Sequence, residues 1–298
     1  MATMRAIKKR ISSVNNTKKL MKAMDLIAAS KLQKAKARFE DILPLCDSIK
    51  LVMESIKANM SQVSAVENPE ESETEEIAFA QEREVKDIAY IVLTGDRGLC
   101  GGYNVNVSRA AFKLIVANKD KNESILTIGS KGSDYFKRRG KNIVFKCYAA
   151  SEATTFEDAE LIGKRVSSMY KSGDVDEVYL IYTHFETLLS HTPRVEKLLP
   201  LKREPDGEDS FRKVEMNYDP DVGTFISYAV PMYLNITIYS AMLESALCEF
   251  AARMTSMDAA TRNATEIIDD LTLKYNRKRQ GLITQEITEI ISGANAFR

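Results

Sequence analysis

The sequence predicts an α/β protein in which an antiparallel coiled coil of long N- and C-terminal helices flanks a central, Rossmann-like parallel α/β domain. Three observations predict it. Heptad-spaced apolar residues run through both ends of the chain, strands and helices alternate regularly between them, and the stretch from Pro231 to Arg298 holds no further proline and only Gly281 and Gly293 as glycines.

In that last stretch apolar or small residues recur in steps of four and three: Ile236, Ser240, Leu243, Leu247, Phe250, Met254, Met257, Thr261, Ala264, Ile268, Leu271 and Tyr275. A seam sustained over so many repeats is the pattern of a coiled coil and needs a partner helix. The N-terminus supplies one, through Ile7, Ile11, Val14, Lys18, Met21, Asp25, Ala28, Leu32, Ala35, Phe39, Ile42, Cys46, Ile49, Met53, Ile56 and Met60. Antiparallel pairing follows because one connected body must lead from the end of the first helix to the start of the last. Pro44 falls inside the first pattern and should kink or divide that helix near Leu43. The helix is expected to fade near Ser61.

At 1.5 Å per residue, helices over 3–60 and 225–296 would span roughly 85 Å and roughly 105 Å, leaving about 20 Å of the C-terminal tip unpaired. Over that tip the seam turns polar at Lys278, Gln285 and Glu289, yet Leu282, Ile283, Ile287, Ile290, Ile291 and Phe297 persist. So many apolar residues on a lone helix point to a socket in a partner.

The expected domains are a coiled-coil helix over 1–63, an acidic linker over 64–86, the α/β domain over 87–222 and the second coiled-coil helix over 223–298. Within the central domain, Asp87–Thr94 (DIAYIVLT) reads as a strand buried on both faces. Val105–Asn118 follows as a helix, then strand Glu123–Ile128, helix Lys131–Arg139, strand Asn142–Tyr148, helix Thr155–Lys171 and strand Asp176–Thr183. That alternation implies a parallel sheet with right-handed crossovers. His184–Leu201 should add an edge strand, while Lys202–Gly207 and Tyr218–Val222, with Asp219 and Asp221, read as turns.

Lys+Arg and Asp+Glu are both 42, so net charge argues for neither nucleic acid nor a membrane surface. Its distribution is uneven: residues 1–58 carry 13 Lys/Arg against 5 Asp/Glu, and Glu67–Glu84 reverses the sign. Such asymmetry suits an electrostatically matched partner. Four dispersed cysteines (Cys46, Cys100, Cys147, Cys248) and two histidines make a metal site or disulfide framework a poor fit and suit a reducing compartment. No apolar run is long enough to span a membrane and no cleavable targeting segment is read.

One glycine-rich loop, Thr94–Asn104 (TGDRGLCGGYN), lies where a phosphate loop would. Gly95, Gly98, Gly101 and Gly102 fit neither GxxxxGK[ST] nor GxGxxG, so a structural turn with glycines at positive φ is the better reading. Asp96 and Arg97 are expected to pair with each other or cap the following helix. Cys100 reads as a buried structural thiol and His184 as a locally satisfied strand residue. No triad, acid/base pair or ligand cluster emerges, which disfavours a catalytic role and assigns no cofactor.

The residues do match a known pattern. Arg10–Thr17 (RISSVNNT), Lys22-Ala23-Met24, Ala28–Leu32 (AASKL) and the loop Asp96–Asn104 carry it, as do Arg253-Met254, Met257, Ala260-Thr261 and Asn263. So do Leu271–Leu273, Tyr275–Arg277, Arg279-Gln280, Ile283–Glu286 and Glu289–Ala294. Over its whole length the chain resembles the gamma subunits of the rotary F-type ATP synthase.

That resemblance implies a central shaft, present in single copy, turning inside a ring of three alpha and three beta subunits. The foot would rest with the epsilon subunit on the membrane-embedded c-ring. The tip would enter the ring's hydrophobic sleeve, and the basic first helix would face acidic beta loops. It further implies rotor–stator contacts at Met24 and Arg253, polar contacts higher on the shaft at Gln280, Thr284 and Glu286, and a family loop at Asp96, Arg97, Gly98, Gly101 and Gly102. It implies a peripheral, non-catalytic subunit at the cytoplasmic face of a bacterial plasma membrane, coupled to protons or sodium. The redox cysteine pair of plastid members is not matched here. The alternative from another class is a stand-alone nucleotide-binding α/β protein dimerised by its coiled coil.

Overall fold

A computed structural model of the chain describes residues 4–66, 84–148, 151–201 and 222–296. Most of the acidic linker and both turn-rich segments, 202–207 and 218–221, lie outside the described residues. The elements are α1 (Met4–Val66), β1 (Asp87–Leu93), α2 (Tyr103–Ala117), β2 (Asn122–Ile128), α3 (Ser130–Lys137), β3 (Ile143–Cys147), α4 (Phe156–Lys171), β4 (Glu177–Phe185), β5 (His191–Leu199) and α5 (Val222–Ala296). The chain packs as two compact units: Met1–Ser30 with Arg253–Arg298, and Lys31–Ala252.

The larger unit is built on a sheet of order β3-β2-β1-β4-β5. β1 pairs in parallel with β2 and β4, and β2 with β3. β5 closes the edge antiparallel to β4, so the sheet is mixed. Because side chains alternate along a strand, each central strand feeds both faces. Ala89, Ile91 and Leu93 join Leu126, Val178 and Leu180 in one core with Ile162 and Val166 of α4, and with Cys46, Ile49, Met53 and Ile56 of α1. Ile88, Tyr90 and Val92 face the other way, onto Val107, Ala111 and Ile115 of α2 and Phe136 of α3. Continuous apolar strands are the expected outcome when both faces are covered. α4 starts at a capping box, in which Thr155 and Asp158 each accept the other's backbone N–H.

Two expectations need correction. Of the two outcomes expected at Pro44, a kink or a division, division does not occur: α1 continues to Val66, and the face beyond Pro44 still buries Cys46, Ile49, Met53 and Ile56. His184 and Phe185 extend β4, and the edge strand begins only at His191 after a short turn in which Ser190 N–H donates to Thr187 Oγ1 (3.0 Å).

In the smaller unit the seam is legible residue by residue. Ile7, Ile11, Val14, Lys18, Met21 and Asp25 are half-buried between exposed neighbours. On the other segment Met257, Ala264 and Leu271 are buried, and Thr261, Ile268, Tyr275 and Lys278 half-buried. Beyond Lys278 all residues through Gly293 are exposed.

Candidate functional site

In an open α/β sheet the ligand crevice lies beyond the carboxyl ends of the strands, at the point where strand order reverses. Here that point lies between β1 and β4, and the chain itself fills it. Cys248 of α5 is fully buried and donates through its thiol to Thr183 O of β4 (3.4 Å). Glu244, one turn earlier, accepts the Phe185 N–H (2.9 Å) and lies 2.6 Å from His184 Nδ1. Glu249 accepts from Ser151 Oγ (2.6 Å), and its carboxylate lies against Gly95. Cys100, Tyr103, Cys248 and Ala252 form a small apolar cluster with Phe185.

Burial sets the ionisation of this plug. The Cys248 thiol is pushed far up, first by burial and then by the Glu244 carboxylate. Tyr103 is likewise held well above the ordinary phenol range by burial, with Glu249 adding to it. Cys248 therefore stays a thiol, and only the thiolate is a nucleophile. A stand-alone nucleotide-binding protein would need this crevice open.

The glycine-rich loop is a hinge-free turn rather than a phosphate cradle. Asn104 ties it down: Oδ1 accepts the Gly95 N–H (2.8 Å) and Nδ2 donates to Arg97 O (3.1 Å). Positive φ occurs at Gly101 (55°) and at Leu99 (62°), the latter not a glycine, and is not taken by Gly95, Gly98 or Gly102. Gly95 is needed for space instead, since a Cβ there would meet Glu249 Oε2 at 2.6 Å.

Asp96 neither pairs with Arg97 nor caps α2. Its Oδ1 accepts the Ser130 N–H (2.6 Å) and so satisfies an orphan donor at the start of α3. Arg97 instead reaches Glu152 Oε1 (3.6 Å). Glu152 also pairs with Lys31 of α1.

The residues expected to meet a partner lie on the surface or close to it. Met24 is 44% exposed, and Leu20 and Ile27, one turn either side, are more so. Arg253 is half-buried. Gln280, Thr284 and Glu286 belong to the exposed end of α5, where Thr284 Oγ1 donates to Gln280 O (3.0 Å). Leu282, Ile283, Ile287, Ile290 and Ile291 are between 42% and 71% exposed. Glu152, Glu244 and Glu249 carried no signal in the sequence, because Lys31, Arg97, Phe185, His184 and Ser151, which they meet, are distant along the chain.

Among the described residues no helix is long and apolar enough to cross a membrane, and no group of three or more His, Cys, Asp or Glu could hold a metal. A profile of the ATP synthase family matches residues 3–297. The ATP synthase gamma chain of Alkaliphilus metalliredigens is 41% identical, over 99% of both chains. The sodium-ion-specific ATP synthase gamma chain of Acetobacterium woodii is 38% identical, over 98% of this chain and 97% of its own. Among solved structures, a chain of the Euglena gracilis mitochondrial ATP synthase (OSCP/F1/c-ring) has a TM-score of 0.69 at 16% identity, covering 99% of this chain and 94% of its own. A chain of the Tetrahymena thermophila mitochondrial ATP synthase central stalk and c-ring scores 0.61 at 24% identity, over 81% and 99%. These two likenesses concern the fold.

Proposed function

This chain belongs to the ATP synthase gamma chain family, and on that premise we propose that it is the central rotor shaft of an F-type ATP synthase. It is a non-catalytic subunit. It couples c-ring rotation, driven by protons or sodium, to ATP synthesis and hydrolysis at a ring of three alpha and three beta subunits. It does so in single copy, with the epsilon subunit beside its foot, peripheral to the cytoplasmic face of a bacterial plasma membrane and with no part in nucleic-acid binding.

One element carries this reading: α5, a single helix of 75 residues. Its residues 244–252 are locked into the sheet's crevice, so the α/β body is a mount fixed to the helix rather than a ligand-binding domain. Its last stretch keeps five large aliphatic side chains in solvent, the surface of a helix made for a partner's socket. Rotation of an asymmetric shaft then biases each beta subunit between states through differential contacts. Met24 and Arg253 are assigned to the rotor–stator contact, and Gln280, Thr284 and Glu286 to polar contacts further along the shaft. Asp96, Arg97, Gly98, Gly101 and Gly102 are assigned to the family loop after β1, which Asp96 ties to the start of α3 and Arg97 to Glu152.

The test is ATP turnover and rotation by alpha/beta rings from the same organism, with and without this chain. Single-copy assembly with rotation during hydrolysis is expected. A chain that stays out of the ring yet binds ATP tightly by itself would overturn the proposal.

A further inference from the structure

The segment after β3, residues 151–154, touches three parts of the larger unit within four residues and leads into α4. Arg38 of α1 donates from Nη2 to Thr154 O and from Nη1 to Glu152 O (3.4 Å). Lys31 of α1 pairs with the Glu152 carboxylate, which Arg97 of the β1 loop also approaches. Ser151 donates to the buried Glu249 of α5. Thr154 is itself buried and directly precedes the capping box of α4.

At this level Leu32 and Ala35 of α1 and Leu243, Ala246, Leu247 and Phe250 of α5 are buried. A cavity of about 260 Å³ opens between Lys31, Ala35, Arg38, Ser151, Leu243 and Phe250. Further along α1 the attachment is apolar, through Cys46, Ile49, Met53 and Ile56. Apolar burial is non-directional. Charge-assisted bonds to fixed carbonyls are directional and define an angle.

We propose that residues 151–154 are the clamp by which the α/β body grips the first helix against twist, with Arg38 and Glu152 as its positioning residues. This rests on the rotor reading. Torque entering the body reaches α5 through the filled crevice and reaches α1, at this level, through the clamp. Lys31 is the first residue of α1 in the larger unit, so the clamp holds α1 at the limit of that unit.

The experiment uses the assembled alpha/beta/gamma complex carrying Arg38→Ala, Arg38→Lys, Glu152→Gln or Glu152→Asp. A bead on the body reports angular fluctuation while the ring is stalled, and bulk ATP hydrolysis and complex yield are measured beside it. Arg38→Ala and Glu152→Gln are expected to hydrolyse ATP at the parent rate but to lose torsional stiffness, seen as wider fluctuation. Glu152→Asp keeps the charge and should retain more stiffness than Glu152→Gln; Arg38→Lys loses the fork and should resemble Arg38→Ala. If Arg38→Ala fails to assemble, Arg38→Lys, which loses the fork to the two carbonyls but keeps the charge, decides in its place. Parent stiffness in the assembled Arg38 variant overturns the clamp and leaves the rotor reading intact. Absence of rotation by the parent complex overturns the rotor reading itself.

Discussion

Glu249 Oε2 occupies the place where a side chain at Gly95 would begin: a Cβ there would lie 2.6 Å from that oxygen. The loop backbone at Gly95 is thus fitted against the Glu249 side chain, which would have to shift for any larger residue there.

Gly95→Ala should therefore destabilise the chain by about 1–3 kcal/mol, the usual cost of overpacking. Denaturant unfolding of the isolated chain measures it. Because the two positions share one contact, adding Glu249→Ala should cost less than the sum of the single changes. Strict additivity would mean that the loop and helix are not fitted in this way.

Met24→Lys tests the rotor–stator assignment. Met24 is 44% exposed, and surface substitutions usually move stability by no more than about 0.5 kcal/mol. The variant should fold and assemble, yet make less ATP per unit of proton or sodium flow. Unchanged coupling in membranes containing that complex would sink the assignment.

Much of this architecture was legible because it is periodic. Ile7 to Ile56 on α1 and Ile236 to Tyr275 on α5 bury where a heptad places them, and Asp87–Leu93 is as continuous in the fold as in the sequence. The strand alternation also gave the edge strand, though its start was misplaced because His184 and Phe185 continue β4 to meet Glu244. What periodicity cannot carry is polar pairing across distance. Asp96, which its position suits to its own loop or α2, serves α3, 34 residues away; Glu152 and Glu249 have no periodic signal at all. Their roles exist only once the sheet brings the carboxyl ends of β1, β3 and β4 under α5. The rotor–stator residues are implied by family resemblance: Met24 stands out only by its exposure, and Arg253, half-buried, does not stand out even by that.

Stability should fall on the alkaline side. Tyr179 is held well above its ordinary value of 10.0, first by burial and next by its hydrogen bond to the Glu177 carboxylate (2.9 Å). Tyr182 and Tyr103 are raised as well, chiefly by burial. The unfolded chain releases these protons near pH 10 while the folded chain holds them. Their contribution is therefore complete below pH 10 and is lost as pH rises from there towards the folded values, at up to about 1.4 kcal/mol per pH unit per group. Unfolding midpoints from about pH 8 to about pH 11 should show the decline, and Tyr179→Phe should shallow it. A slope unchanged in that variant would remove Tyr179 from the set.

The exposed end of α5 separates folding from assembly. Ile287, Ile290 and Ile291 are 52%, 71% and 55% exposed, so replacing all three by Ala leaves no cavity and slightly favours the helix. The isolated chain should melt as the parent does. If the tip enters a hydrophobic socket, each isoleucine buries there for roughly 1.5–3 kcal/mol, much of which alanine forgoes. Since about 1.4 kcal/mol is tenfold in affinity, the triple variant should bind the alpha/beta ring at least tenfold more weakly. Titration of the ring with labelled chain measures this directly. Parent affinity in the triple variant would show that the tip is not seated, and the overhanging aliphatic face would need another purpose.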